Sequence, residues 1–178
     1  MFSKGCVIWI TGLSDSGKST LAKSLSRRLL ESDYKVTLLD GDELRRVIGK
    51  KVSGFDRETR LNNGFQFSAL CKLLADQGHV VIIAVIGLFK ELHDWNRKNL
   101  PNYFEIYLNT PIEILKERDS KGLYNAYEKG EIKNIYGLDL SFDAPTNPEL
   151  EIKYNRDLDP DDLVDIVINN LNLNAKNN

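Results

Sequence analysis

Residues 12–20 read Gly-Leu-Ser-Asp-Ser-Gly-Lys-Ser-Thr: a glycine, four residues, then Gly17, Lys18 and Ser19. Directly before them runs an unbroken apolar stretch, Cys6 to Ile10 (CVIWI), and after them Leu21, Leu25, Leu29 and Leu30 recur at helical spacing among lysines and arginines. The pattern reads as a strand buried on both faces, a glycine loop and an amphipathic helix. Such a loop aims backbone N–H groups and the positive end of a helix dipole at one point, which is how a chain holds polyphosphate. Gly12, Leu13, Ser14, Asp15, Ser16, Gly17, Lys18, Ser19 and Thr20 are therefore assigned to ATP or GTP. Lys18 is expected to reach the β- and γ-phosphates, and the Ser19 hydroxyl to ligate Mg²⁺.

The alternation continues downstream. Lys35 to Leu39 (KVTLL) reads as a second strand, Phe65 to Gln77 as an amphipathic helix, Val80 to Ile86 (VVIIAVI) as a third strand and Phe104 to Leu108 as a fourth. Pro111 to Asp119 reads as a helix capped by Thr110 with Pro111 in its first position. Asp159 to Leu171 reads as a last helix, with Asp159 as cap and Pro160 first. Alternating strands and helices predict an α/β fold, a central parallel sheet with helices on both faces. The polar stretch from about 119 to 148, punctuated by Gly122, Gly130, Gly137, Pro145 and Pro148, is expected to form a lid. One domain is expected over residues 1–171, with the Asn-rich end, 172–178, fraying.

Composition narrows the partner. With 24 Lys plus Arg against 26 Asp plus Glu, the net charge of −2 gives no field on the scale nucleic acid requires, so a small molecule is expected. The 42% apolar and 28% charged content suits one soluble domain. Val7 to Ile10 is too short for a signal peptide and Val80 to Ile86 too short to span a bilayer, so the expectation is a cytoplasmic protein without membrane contact. Cys6 and Cys71 lack a Cys-x-x-Cys partner and read as reduced core thiols.

A phosphate loop needs a carboxylate near the metal. Val80 to Ile86 ends in Gly87 with no aspartate, whereas the second strand ends LLDGD, which puts Asp40 and Asp42 at the carboxyl edge of the sheet where ligands sit. Together they could hold Mg²⁺ and take the proton from an attacking hydroxyl, and spacing leaves open which is the base. The segment from Asp42 to Asn63 adds Arg45, Arg46, Arg57, Arg60 and Phe55. Arginines suit a substrate anion and an aromatic suits a base, so the acceptor is expected to be a nucleotide.

Carried on those residues, the chain resembles adenylylsulfate kinases, which use ATP to phosphorylate the 3′-hydroxyl of adenosine 5′-phosphosulfate. The matching pieces are WITGLSDSGKSTLA from Trp9, LLDGDELR ending at Arg45, Gly54-Phe55 with Arg60 and Asn63, TPIEILKERDSKGLY from Thr110, and GEIKNIYG with DAPTNPEL from Gly130 to Leu150. The resemblance implies a P-loop kinase fold and a homodimer. It gives Asp40 and Asp42 metal and acceptor-hydroxyl roles, and gives Arg45, Phe55, Arg60, Asn63, Lys121, Leu123 and the backbone at Ile86 and Gly87 to the acceptor. Arg118 it places on the ATP side.

Departures from the family pattern cluster on the acceptor side. Where the family has Ile-Ser-Pro-aromatic-Arg, this chain reads IGLFK, with Gly87, Leu88 and Lys90 at the serine, proline and arginine positions. Gly64, Phe65 and Gln66 replace an Ile-Arg-Arg run. Asn134-Ile135 stands for the Gly-Phe whose ring closes on adenine against the ring at Phe55, leaving an apolar face at Ile135 and an Asn134 amide free to meet a base edge. Asp15 stands where the family has a small residue. A base stacked on a ring is worth roughly 1–3 kcal/mol, so these losses point to a changed acceptor. The related kinase that 3′-phosphorylates cytidine diphosphoramidate, for capsule decoration, fits a smaller base and an uncharged terminus. An unaltered adenylylsulfate kinase is the alternative. A nucleotide-operated switch is a third class, but the Asp-x-x-Gly and Asn-Lys-x-Asp pieces such switches carry are absent.

Overall fold

The computed structural model describes residues 5–48 and 56–171. Strand β1 (Cys6–Thr11) is central, and its six residues are all buried, as an unbroken apolar run requires. It pairs in parallel with β3 (Val80–Ala84) on one side and β4 (Tyr103–Asn109) on the other. Edge strands β2 (Val36–Asp40) and β5 (Leu150–Lys153) complete the parallel order β2-β3-β1-β4-β5.

Side chains of β1 alternate between two cores. Cys6, Ile8 and Ile10 pack with Leu21, Leu25 and Leu29 of α1 (Lys18–Glu31) and with Val164 and Val167 of α7 (Pro160–Asn170). Val7 and Trp9 face Phe67 and Cys71 of α3 (Arg57–Asp76) and Leu92 of α4 (Lys90–Asn99). The sheet is thus covered on both sides, and Cys6 and Cys71 are buried free thiols in different cores. Burial pushes the Cys6 thiol up to about 12, so it stays protonated. Leu30, grouped with the helix's apolar stripe by spacing, is instead 55% exposed.

Several boundaries differ from expectation. Helix α3 starts at Arg57, eight residues before Phe65, because Asp56 caps it by accepting from Thr59 N at 2.9 Å while its first turns are polar. Strand β3 ends at Ala84 rather than Ile86. Pro111 is not the first residue of α5 (Ile112–Arg118) but its cap: its ψ of 143 is extended, and its carbonyl accepts from Ile114 N and Leu115 N. Asp159 does cap α7, in a reciprocal box with Asp162 and with Pro160 first. Four elements had no sequence expectation: α2 (Gly41–Ile48), α4, α6 (Leu123–Glu128) and β5. The inward face of α4 is Leu92, His93 and Asn96, and two polar residues there hide its periodicity. Phe55 and the 172–178 end lie outside the described residues. Among those described, no helix is long and apolar enough to cross a membrane.

Candidate active site

The phosphate loop joins β1 to α1. Gly12 has φ 153, and a Cβ there would come within 2.8 Å of the Leu108 carbonyl and of Ser16 Oγ, so no larger residue fits. Gly17 (φ 97) occupies the cap position of α1. Lys18 Nζ donates to the Leu13 carbonyl and to Ser16 Oγ, which folds its ammonium back over the loop. Burial, then repulsion from Lys121, pulls the Lys18 pKa down to about 8. A cavity of about 550 Å³ opens here, lined by Ser14 through Thr20 of the loop, by Arg118, by Lys153 at the end of β5 and by Tyr154 and Asn155 just after it. Gly12 and Leu13 lie beneath it, shaping the loop without lining the cavity.

Asp40, the last residue of β2, accepts from Ser19 Oγ at 2.6 Å and, through its other oxygen, from Asp42 N at 2.8 Å. A hydroxyl and a carboxylate so close are hard oxygen donors of the kind Mg²⁺ takes alongside water and phosphate. Asp42, one residue into α2, faces elsewhere: Arg45 donates to its Oδ1 and Lys121 Nζ to its Oδ2. Burial alone would raise the Asp42 pKa, but Lys121 and Arg45 outweigh it and hold the carboxyl below its usual range.

A second cavity, of about 430 Å³, lies beyond Asp42. Ser14, Asp42, Arg45, Val85, Ile86 and Lys121 line both spaces. The far cavity also takes in Arg60, Asn63, Gly64 and Phe67 from α3, Gly87 and Phe89 after β3, and Leu123, Tyr124, Ile132, Lys133, Ile135 and Tyr136 from the 119–148 segment. Its charged lining is Arg45, Arg60, Lys121 and Lys133 against Asp42, which favours an anion. Gly87 turns left-handed (φ 49), and a Cβ there would meet Trp9 Cζ2 at 3.1 Å, so the backbone itself forms the wall.

Sequence reasoning on this side needs correcting in part. Asn134 does not line the cavity; it contributes its carbonyl, which accepts from Arg60 Nη2 at 2.9 Å. Phe65 packs edge-on against Trp95 at 6.1 Å, and neither it nor exposed Gln66 lines the cavity. Gly64 answers to packing, because a Cβ would come within 2.6 Å of Leu92 Cδ2. Lys90 pairs with Asp94 and Leu88 is buried core, so neither lines the cavity. The departures that remain on its walls are Gly64, Gly87 and Ile135. Sequence reasoning missed Phe67, Phe89, Tyr124, Lys133 and Tyr136, and on the ATP side Lys153 to Asn155. The latter lie at and just past the end of a strand whose fragment LEIK carries no strong signal of its own.

The last residue of α5 and the segment after it are bolted to the phosphate loop. Arg118 Nη1 donates to the Asp15 carbonyl at 3.0 Å, Ser120 Oγ to the Asp15 carboxylate, and Tyr124 Oη to the Ser14 carbonyl at 3.2 Å. Burial raises the Tyr124 phenol to about 12, which keeps it a donor. Asp15 (φ 60) therefore ties the loop to the root of the segment expected to be a lid.

Comparison with known proteins agrees with this geometry. The adenylylsulphate kinase family model matches residues 4–153. A cytidine diphosphoramidate kinase of Campylobacter jejuni is 41% identical over 139 residues, 78% of this chain and 81% of that protein. An adenylyl-sulfate kinase of Clostridium acetobutylicum is 41% identical over 155 residues, 86% of this chain and 77% of that protein. The Mycobacterium tuberculosis APS kinase CysC, solved in complex with AMPPNP and APS, superposes with a TM-score of 0.87 at 35% identity, covering 94% of this chain and 98% of that one. The chain is an ATP-dependent nucleotide phosphotransferase with a P-loop kinase fold, and it belongs to the adenylylsulphate kinase family.

Proposed function

We propose that the protein transfers the γ-phosphoryl group of ATP to the ribose 3′-hydroxyl of cytidine diphosphoramidate, as a step in capsule phosphoramidate synthesis. The observation that carries the transfer geometry is the pair of cavities sharing Asp42 and Lys121 as their common wall. ATP in the first and a nucleotide in the second would meet at that seam, as in-line displacement requires. Ser19 and Asp40 would hold Mg²⁺, which when bound neutralises charge on the phosphates. Lys18 supplies a further positive charge from the loop, and Asp42 receives the 3′-hydroxyl once Lys121 swings from it to the substrate's anion. A carboxyl held below its usual range is a weak base, which a loose phosphoryl transition state tolerates. Closure of residues 119–148 excludes water. The chain acts as a homodimer, for which light scattering is expected to give about twice the 20.3 kDa of one chain.

Support for the cytidine acceptor is the loss of a ring at Ile135, which lines the second cavity, together with likeness to the Campylobacter jejuni enzyme. A coupled ADP-release assay with Mg-ATP, comparing cytidine diphosphoramidate with adenosine 5′-phosphosulfate, tests it. Faster turnover of the cytidine compound is expected. Strong turnover of the sulfate ester alone would make this an ordinary adenylylsulfate kinase.

A further inference from the structure

The acceptor cavity has an aromatic wall at Tyr136, one residue beyond the position where the family carries its ring. Ile135 offers no ring, but its neighbour Tyr136 does, and although it sits in an irregular segment it is only 4% exposed and lines the cavity. Its ring is held from two sides. Phe89 meets it edge-on at 5.9 Å and 79°, and the Arg60 guanidinium stands over it, 4.7 Å from Cζ to centroid. Arg60 is held in turn, since it also donates to the Asn134 carbonyl. Asn134 presents that carbonyl from a left-handed turn (φ 65) fixed by Asp139, whose carboxylate accepts from Asn134 N at 2.9 Å and Ile135 N at 2.7 Å. Ring and guanidinium therefore form one rigid unit, anchored through the 134–139 turn and Phe89.

A bulky side chain fixed in a cavity wall discriminates by the volume it denies and by the cation it positions. We propose that Tyr136 is a specificity-determining residue of the acceptor cavity: its ring takes the space a two-ring base would need, gives a one-ring pyrimidine a face to lie against, and sets where Arg60 points. The proposal rests on the reading of the second cavity as the nucleotide acceptor site. It differs from that reading in naming the residue that selects the base.

The test compares the intact protein with Tyr136→Val and Tyr136→Phe, measuring kcat and KM for cytidine diphosphoramidate, adenosine 5′-phosphosulfate and ATP. Calorimetric binding of both acceptors and a melting curve accompany the kinetics. Tyr136→Val is expected to shift the cytidine-to-adenosine ratio of kcat/KM at least about tenfold toward adenosine, mostly through KM for acceptor, with KM for ATP unchanged. Tyr136→Phe keeps the ring and is expected to stay within about threefold of wild type. An unchanged ratio in a Tyr136→Val protein with native melting overturns the proposal, as does a shift of equal size in Tyr136→Phe. If Tyr136→Val does not fold, the calorimetric ratio for Tyr136→Leu decides by the same criterion. A wild type preferring adenosine 5′-phosphosulfate would sink the cytidine assignment and with it the pyrimidine part of the proposal. A wild type that turns over neither acceptor would sink the function, while the binding ratios would still show whether the ring selects the base.

Discussion

Two charged groups, half-buried Lys18 and buried Glu105, carry unequal burdens. Lys18 holds its ammonium against a pKa of about 8, set by burial and by Lys121. Nucleotide phosphates favour the charged form, so the pKa is higher in the ATP complex than in the free protein. ATP affinity is then full below pH 8 and falls as pH rises past it, because binding must take up a proton. Calorimetry at pH 8.5 in buffers of different ionisation enthalpy is expected to show net proton uptake that disappears in Lys18→Ala; no uptake by the wild type would mean that the ammonium is already charged. Glu105, only 1% exposed, lines neither cavity. It faces His93 Nδ1 at 2.6 Å, Tyr103 Oη at 2.8 Å and Arg97 Nη2 at 3.1 Å, all donating to it. Burial would raise its pKa, but His93, Tyr103 and Arg97 together hold it down. Its stabilising effect is therefore present above the usual carboxylate pKa and is lost as pH falls through the lowered value. Arg97 is 42% exposed and keeps Glu149 as a partner, so Glu105→Gln should cost about 1–3 kcal/mol rather than the larger penalty of stranding a buried cation. Urea unfolding at pH 7 measures that loss, which should shrink on acidification.

Elements meet at a few polar bolts. The phosphate loop and the segment after α5 touch through Asp15, whose left-handed backbone suits glycine better. Asp15→Gly would relieve about 1 kcal/mol of backbone strain while cutting the bond from Ser120. Global stability should change little, whereas hydrogen exchange over residues 119–125 should rise; unchanged exchange there would mean that Arg118 and Tyr124 alone hold the root. Helix α4 shows how an element can escape sequence reading. Its inward His93 meets Glu105 through Nδ1 at 2.6 Å and its inward Asn96 accepts through Oδ1 from Ser68 Oγ at 2.6 Å, partners on β4 and α3. Strand β5 is legible only as the neighbour of β4, where Leu150 and Ile152 alternate with exposed charges on a four-residue edge.

At the scale of the molecule, the sheet order places the ends of β1, β2 and β3 around one opening, so the loop, Asp40 and Gly87 converge there although they are far apart in the chain. Asp42 lines both cavities while Asp40 meets Ser19, and on that placement the proposed roles divide, Asp40 to the metal and Asp42 to the acceptor. Asp42→Asn is expected to lower transfer about 100-fold or more while leaving ATP affinity within about twofold, read by ADP release and by calorimetry. Weakened ATP binding would instead move Asp42 to the metal.

The sequence by itself determined the phosphate loop, the four main strands and the α/β class, because glycine spacing and apolar periodicity act over a few residues. It also brought Asp40, Asp42 and Arg60 into consideration by their place in the chain, and Asn63 by family resemblance. Only the tertiary structure decided which departures face the acceptor. Phe65 turns to Trp95 and Lys90 to Asp94, while Tyr136 is drawn inward by Phe89 and Arg60. The Lys90–Asp94 pair is local, but the choices at Phe65 and Tyr136 are made by partners tens of residues away, and no local pattern encodes those.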